Sequence, residues 1–141
     1  MQLRFVRLLV RDQEEALAFY TGTLGFAKKA DIPMGSHRFL TVAAPDGIEG
    51  VQLILEPADF PPAAAYQRAC HEAGIPALAI STDDVSRDHR RLKGRGVRFV
   101  AEPEDAGPVI GATFDDGCGN LVYLAQAKPR AGQAPSPSAC R

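Results

Sequence analysis

The sequence writes one pattern twice, and a repeat of that length restricts the fold more than any single residue does. Val10-Arg11-Asp12, an amphipathic stretch through Ala16-Leu17-Ala18-Phe19-Tyr20 and then Leu24-Gly25-Phe26 return as Thr82-Asp83-Asp84, a stretch through Arg90-Arg91-Leu92 and then Gly96-Val97-Arg98-Phe99. Each half continues with extended, β-branched segments broken by an Asp/Gly turn. In the first these are Arg38 to Val42, Pro45-Asp46-Gly47 and Val51 to Leu55; in the second, Val109 to Phe114, Asp115-Asp116-Gly117 and Leu121 to Leu124. A period of about 70 residues is too long for a solenoid and suits two packed modules within one domain.

Local patterns give each module the order β-α-β-β-β. From Leu3 to Val10, Val6, Leu8 and Val10 share one face of a strand, while Phe5, Arg7 and Leu9 share the other. Asp12 is placed to cap a helix over 13–24, with Glu14 and Glu15 in the turn where acidic groups suit the helix dipole. Leu17, Tyr20 and Leu24 form its buried stripe, and Gly25 its left-handed stop. Strands are predicted over 26–30, 37–43 and 50–56. Three prolines make 57–62 a linker before a short helix over 63–73. The second module is predicted as a strand over 77–82, a helix capped by Asp84 or Ser86 and ending near Gly94, and strands over 97–101, 109–114 and 121–126.

This divides the chain into one domain over 1–127 and a tail. Module one takes 1–56, linker and helix 57–75, and module two 76–127. From 128 to 141 the composition turns to Ala, Pro, Ser, Gly and Gln, and a flexible end is expected there.

Composition excludes several classes of function. A formal net charge of −1 gives no electrostatic case for nucleic acid or an anionic membrane as partner. Arg87, Arg90, Arg91, Arg95 and Arg98 cluster on the outer face of the second module's helix and the turn after it, as a solvated face would. No apolar run approaches the roughly 20 residues that span a bilayer, and the N-terminus enters a strand pattern without a signal-peptide core. A cytoplasmic protein is expected. Cys70, Cys118 and Cys140 have no metal-like spacing and an odd count, so they read as free thiols.

Paired modules carrying V-x-D, a helix with Ala18-Phe19-Tyr20, then Leu24-Gly25-Phe26, and later Gly119-Asn120 before a final strand, resemble the vicinal oxygen chelate superfamily over about residues 1 to 127. That group contains glyoxalase I, extradiol dioxygenases, fosfomycin-modifying enzymes and bleomycin-binding resistance proteins. The resemblance implies an α+β fold in which two βαβββ modules form a curled, half-barrel mixed sheet with helices outside, and a homodimer. Fold alone does not fix the activity.

Most enzymes of the superfamily hold one divalent cation on the inner face of this cup, and the resemblance locates its ligands. The usual His lies seven residues before the Asp of each V-x-D-like motif, where this chain has Phe5 and Ala77. The usual carboxylate of the second module falls three residues after the Asn of G-N, at Tyr123. In the first module Gln52 or Ile54 takes that place, with Glu56 one step further on the same face. A divalent cation needs imidazole nitrogen or carboxylate oxygen at about 2.0 to 2.2 Å, which Phe, Ala and a neutral phenol do not supply. Of the remaining donors, His37, Glu56, His71, His89 and Glu102, only His37 begins a strand that reaches the cup. His71 and His89 read as surface histidines.

The expected cup is apolar with a few polar groups, the usual make-up of a small-molecule site. Its candidate ligand-binding residues are Phe5, Arg7, His37, Arg38, Gln52, Glu56, Ala77 and Tyr123. An inward Arg7 must meet a carboxylate or phosphate, either Glu56 or a group on a ligand, because an unpaired buried charge is costly. Cys118, in the turn Asp116-Gly117-Cys118-Gly119-Asn120, lacks any sign of a base that would make it nucleophilic. The reading is a metal-independent small-molecule-binding protein without cofactor. One alternative is a lyase, isomerase or dioxygenase with a metal site rebuilt from Glu56, His37 or Gln52. The other is a dimeric interaction module whose cup is filled by its own side chains.

Overall fold

The structure is a computed structural model and describes residues 1–129. The tail expected over 128–141 lies outside the described residues from 130 on, as does Cys140. Among the described residues eight strands and three α-helices follow the repeat: β1 (Phe5–Val10), α1 (Gln13–Ala18), β2 (Ala27–Met34), β3 (His37–Ala43), β4 (Gln52–Pro57), α2 (Pro61–Glu72), β5 (Leu78–Ser81), α3 (Val85–Gly94), β6 (Glu104–Asp105), β7 (Val109–Asp115) and β8 (Leu121–Ala127). They form two four-stranded mixed sheets, ordered β1-β4-β3-β2 and β5-β8-β7-β6. In each, the first and last strands run parallel and the other pairs antiparallel. Among the described residues no bridge joins β1 to β5, so the sheets are separate and neither closes into a barrel. No described helix is long and apolar enough to cross a membrane.

The caps act as the sequence indicates. Asp12 Oδ1 accepts the Glu15 N–H at 2.8 Å and Asp84 Oδ1 the Arg87 N–H at 2.9 Å, which settles the second cap on Asp84 rather than Ser86. Pro61 and Pro62 open α2 two residues before the expected start. Their missing N–H groups cost nothing in a first turn, where such donors have no helical partner.

Three local expectations are corrected. The helix predicted over 13–24 widens after Ala18 into a π-helical turn, Phe19–Thr23, closed by the Leu24 N–H to the Phe19 carbonyl at 3.1 Å. The inserted residue splits the aromatic pair: Tyr20 enters the first core, while Phe19 and Leu24 pack against both cores. β2 runs on to Met34, because Gly35 at φ 63° allows a tight turn into His37. The strand predicted over 97–101 reduces to a single bridge, Phe99 to Phe114, and pairing resumes only at Glu104–Asp105, beyond Pro103, which has no N–H to give.

Two cores result. Leu8, Val10, Leu40, Val42, Leu53 and Leu55 pack under Ala16 and Tyr20, and Ala112, Phe114, Val122 and Leu124 pack under Val85 and Leu92. Each fully buried aliphatic side chain contributes about 1.5–3 kcal/mol.

A buried polar clamp joins the modules where the β7–β8 turn meets the end of β1. Asp116 accepts four hydrogen bonds, from the Cys118 N–H (2.7 Å), the Asn120 N–H (3.0 Å), Asn120 Nδ2 (2.9 Å) and the Tyr20 hydroxyl (2.9 Å). Asn120 Nδ2 and Gln67 Nε2 both donate to the Leu9 carbonyl, at 2.8 and 2.9 Å, and the Arg11 N–H donates to the Cys118 carbonyl at 3.0 Å. Burial, and the Asp116 carboxylate beside it, push the Tyr20 phenol far above its ordinary range, so it acts as a donor throughout.

Candidate functional site

Each sheet has one face packed against α1 or α3 and one free face that carries neither, and strand alternation decides which residues occupy the free face. In the first sheet the register places Phe5 beside Gln52, Arg7 beside Ile54 and Leu9 beside Glu56, with Thr41 next to Ile54 and Phe39 next to Ile32. Phe5 meets Phe39 edge to face at 6.0 Å between centroids and remains 49% exposed. The extension of β2 adds Ile32 and Met34, 55% and 61% exposed. This broad apolar surface was only partly visible in the sequence, where β2 was expected to stop before Ile32.

Polar groups sit within it in specific states. Arg7 Nε lies 3.9 Å from Glu56 Oε2, and its side chain is 74% exposed, so the pair is loose and solvated. The Thr41 hydroxyl donates to Gln52 Oε1 at 2.6 Å and accepts the Ala30 N–H at 3.1 Å. The Gln52 Nε2 donors have no protein partner among the described residues. His37, exposed at the start of β3, is held by Asp59 at 2.7 Å. Arg38 is a correction: it shares the face of Leu40 and Val42 and is tied to Glu14 at the start of α1 (2.5 Å) and to Asp31 (2.9 Å), on the helix side of the sheet.

The second sheet's free face is built from small residues. Ala79 pairs with Tyr123 and Ser81 with Ala125 on one side, Thr113 with Tyr123 and Gly111 with Ala125 on the other. Ala77 precedes β5, exposed, its N–H donating to the Leu121 carbonyl at 2.9 Å. Tyr123 alone has bulk here, and its ring lies across Gly111 so closely that a Cβ there would stand 2.0 Å from the hydroxyl oxygen.

Among the expected residues, Phe5, Arg7, Gln52 and Glu56 come together on one free face, and Arg7 and Ala77 line a common cavity of about 300 Å³ roofed by Tyr66 and Cys70 of α2. Tyr123 lies on the other sheet. Within the chain the two modules share Phe19, Leu24 and Leu78 between their cores.

Among the described residues no three His, Cys, Asp or Glu side chains gather as a metal ion requires. His37 is spent on Asp59, and Glu56 has only Arg7 beside it. This donor set does not fit a divalent cation. The other histidines differ from the surface positions expected of them. His71 is half-buried against Asp115 at 2.9 Å, and His89 is 5% exposed, its ring 4.4 Å from that of Phe99. The spacing of Val85, His89 and Leu92 on one helical face was the signal for that burial. Burial pushes the Cys118 thiol up to about 12, so it is protonated and unreactive at neutral pH.

Comparison with known proteins agrees with this geometry. The family model described as Glyoxalase/Bleomycin resistance protein/Dioxygenase superfamily matches residues 2–124. The uncharacterized protein YurT of Bacillus subtilis (strain 168) is 43% identical over 126 residues, covering 89% of this chain and 99% of its own. Among solved structures, UcmS2 superposes with a TM-score of 0.78 at 30% identity, covering 90% of this chain and 98% of that one. TnmS3, an antibiotic binding protein from Streptomyces sp. CB03234, superposes with a TM-score of 0.70 at 29% identity, covering 91% and 97%.

Proposed function

The chain belongs to the glyoxalase/bleomycin resistance protein/dioxygenase superfamily, and from that premise we propose that it binds an organic small molecule of antibiotic type without a metal. The observation that carries this reading is the free face of the first sheet. It presents Phe5, Ile32 and Met34 as an exposed apolar surface beside the half-buried Phe39, with one solvated guanidinium and one free amide donor, and among the described residues it gathers no metal-ligand set. Such a surface can stack a flat or aliphatic body while Arg7 and Gln52 fix an anionic or carbonyl group. The likeness to TnmS3, an antibiotic binding protein, supports the ligand class.

A complete cup takes two copies in this reading. The first sheet contributes bulk and polar anchors; the second contributes small residues, Ala77, Ala79, Ser81 and Gly111, with Tyr123 as a platform. In this dimer the first sheet of one protomer closes over the second sheet of its partner.

The test is a titration of the full chain with a panel of polycyclic and glycopeptide antibiotics, followed by tyrosine fluorescence, with sedimentation equilibrium on the same samples. Binding at one ligand per cup, weakened about tenfold (about 1.4 kcal/mol) in Arg7→Ala without loss of fold, is the expected result. Unchanged affinity in Arg7→Ala and Phe5→Ser removes the site assignment. Ligand binding by a strict monomer removes the two-copy cup. Stoichiometric, tightly held metal lost in Glu56→Ala would favour an enzyme instead.

A further inference from the structure

The repeat produces two equivalent seams between the modules, and only one of them is closed. Tyr20 lies eight residues after the cap Asp12, and Leu92 eight after the cap Asp84. Asp116 lies two residues beyond Phe114, which pairs with Val122; Ala44 lies two beyond Val42, which pairs with Leu53. The contact of Tyr20 with Asp116 therefore has Leu92 and Ala44 as its counterpart, and Asn120 has Val51.

At the first seam the phenol, the carboxylate, Asn120 and Gln67 fill the space and satisfy one another. At the second, an alanine, a leucine and a valine bring no polar lock, and a cleft of about 750 Å³ stays open with all three in its lining. Val42 and Leu53 from the first sheet and Leu78, Ile80 and Leu124 from the second form its walls. Two of the three charged residues in its lining, Asp88 and Arg91, are answered from within the protein. Asp88 accepts from the Thr82 hydroxyl at 2.5 Å and pairs with Arg87 at 3.3 Å and Arg91 at 3.4 Å, while Asp46 stands exposed in the turn at the rim.

A cleft of this size, walled by aliphatic side chains with a few polar groups at one edge, has the dimensions and lining of an organic-ligand site. Its walls forfeit dispersion contacts while it is empty. Because the inward charges are already paired, an ionic occupant would leave its own charge uncompensated, and a neutral one would not. We propose that this second seam is a binding site for a neutral, largely apolar small molecule, one that borders the free faces at Gln52, Ala79 and Ser81 but does not include Phe5, Arg7 or Tyr123.

The probe is N-phenyl-1-naphthylamine, a neutral dye that brightens in apolar surroundings, titrated into the full chain. The deciding variant copies the closed seam onto the open one, as the double substitution Ala44→Asp with Leu92→Tyr. Saturable dye binding of one per chain, weakened about tenfold or more in the double variant, is expected. Val51→Trp, a single change at a half-buried position of the lining, should weaken binding in the same direction and guards against misfolding of the double variant. Arg7→Ala and Phe5→Ser should leave this component unchanged, so failure of the antibiotic-binding reading and failure of this one are distinguishable. If wild-type protein binds no dye, the cleft is filled by protein and the proposal is overturned. It is equally overturned if dye binding is insensitive to Val51→Trp but lost in Phe5→Ser.

Discussion

Replacing Tyr20 by Phe removes one oxygen from the buried clamp and nothing else, which makes it the sharpest test of what joins the two modules. Asp116, 1% exposed, is a carboxylate held by four hydrogen bonds, and the phenol supplies one of them at 2.9 Å. A hydrogen bond to a charged group contributes about 1.5–3 kcal/mol, and the loss is the larger because the acceptor stays buried. Tyr20 is itself fully buried, so water has no ready path to replace the missing donor. With a urea m-value of about 2 kcal/mol/M, the midpoint should fall by about 1 M at unchanged m. The assay is equilibrium urea unfolding at one fixed protein concentration, since any dimerisation makes the midpoint concentration-dependent. In a cycle with Asp116→Asn, the two changes should couple rather than add. A Tyr20→Phe midpoint within about 0.2 M of the parent, below about 0.5 kcal/mol, would refute the claim that this contact holds the seam.

Two further outcomes follow from the same packing. The Cys118 thiol is raised from 9.0 to about 12, so the unfolded chain releases this proton first as pH rises. Its contribution is complete below pH 9 and is lost toward pH 12, with a slope of up to about 1.4 kcal/mol per pH unit. Urea unfolding between pH 8 and 9, where an unfolded tyrosine with a pKa of about 10 is still largely protonated, should show the onset of this slope in the parent and a flatter one in Cys118→Ala; equal slopes would mean the thiol is not buried. Gly111→Ala should destabilise by about 1–3 kcal/mol because the new Cβ meets the Tyr123 hydroxyl, and Tyr123→Ala in the same chain should recover most of that loss in thermal unfolding.

Much of the architecture was legible because it rests on periodicity and caps. The alternation in β1 put Phe5, Arg7 and Leu9 on one face without any tertiary information, and Asp12, with Asp84 or Ser86, marked both helix starts. What escaped depends on contacts made at a distance. The π-helical turn has no sequence signature of its own; it lets Phe19 and Tyr20 serve different cores. Arg38 could not be assigned a face until β3 acquired its register, and once it did, Glu14 and Asp31 claimed the guanidinium. His89 reads as a charged-helix residue beside Asp88 and Arg90, and only its spacing from Val85 and Leu92 betrays its burial. The free face of the first sheet is legible in its polar residues and less so in its extent, because β2 continues past residue 30 to the turn at Gly35.

The buried clamp also decides what would happen to the chain if it were cut. A break in the segment before α2 would part Tyr20 from Asp116 and Leu9 from Asn120, and would strip Phe19 and Leu24 of half their neighbours. Neither fragment could keep its polar groups satisfied or its aromatics dry. Each half would therefore behave as an incomplete protein that regains structure only on meeting the other, so the chain is suited to a split reporter whose signal depends on reassembly.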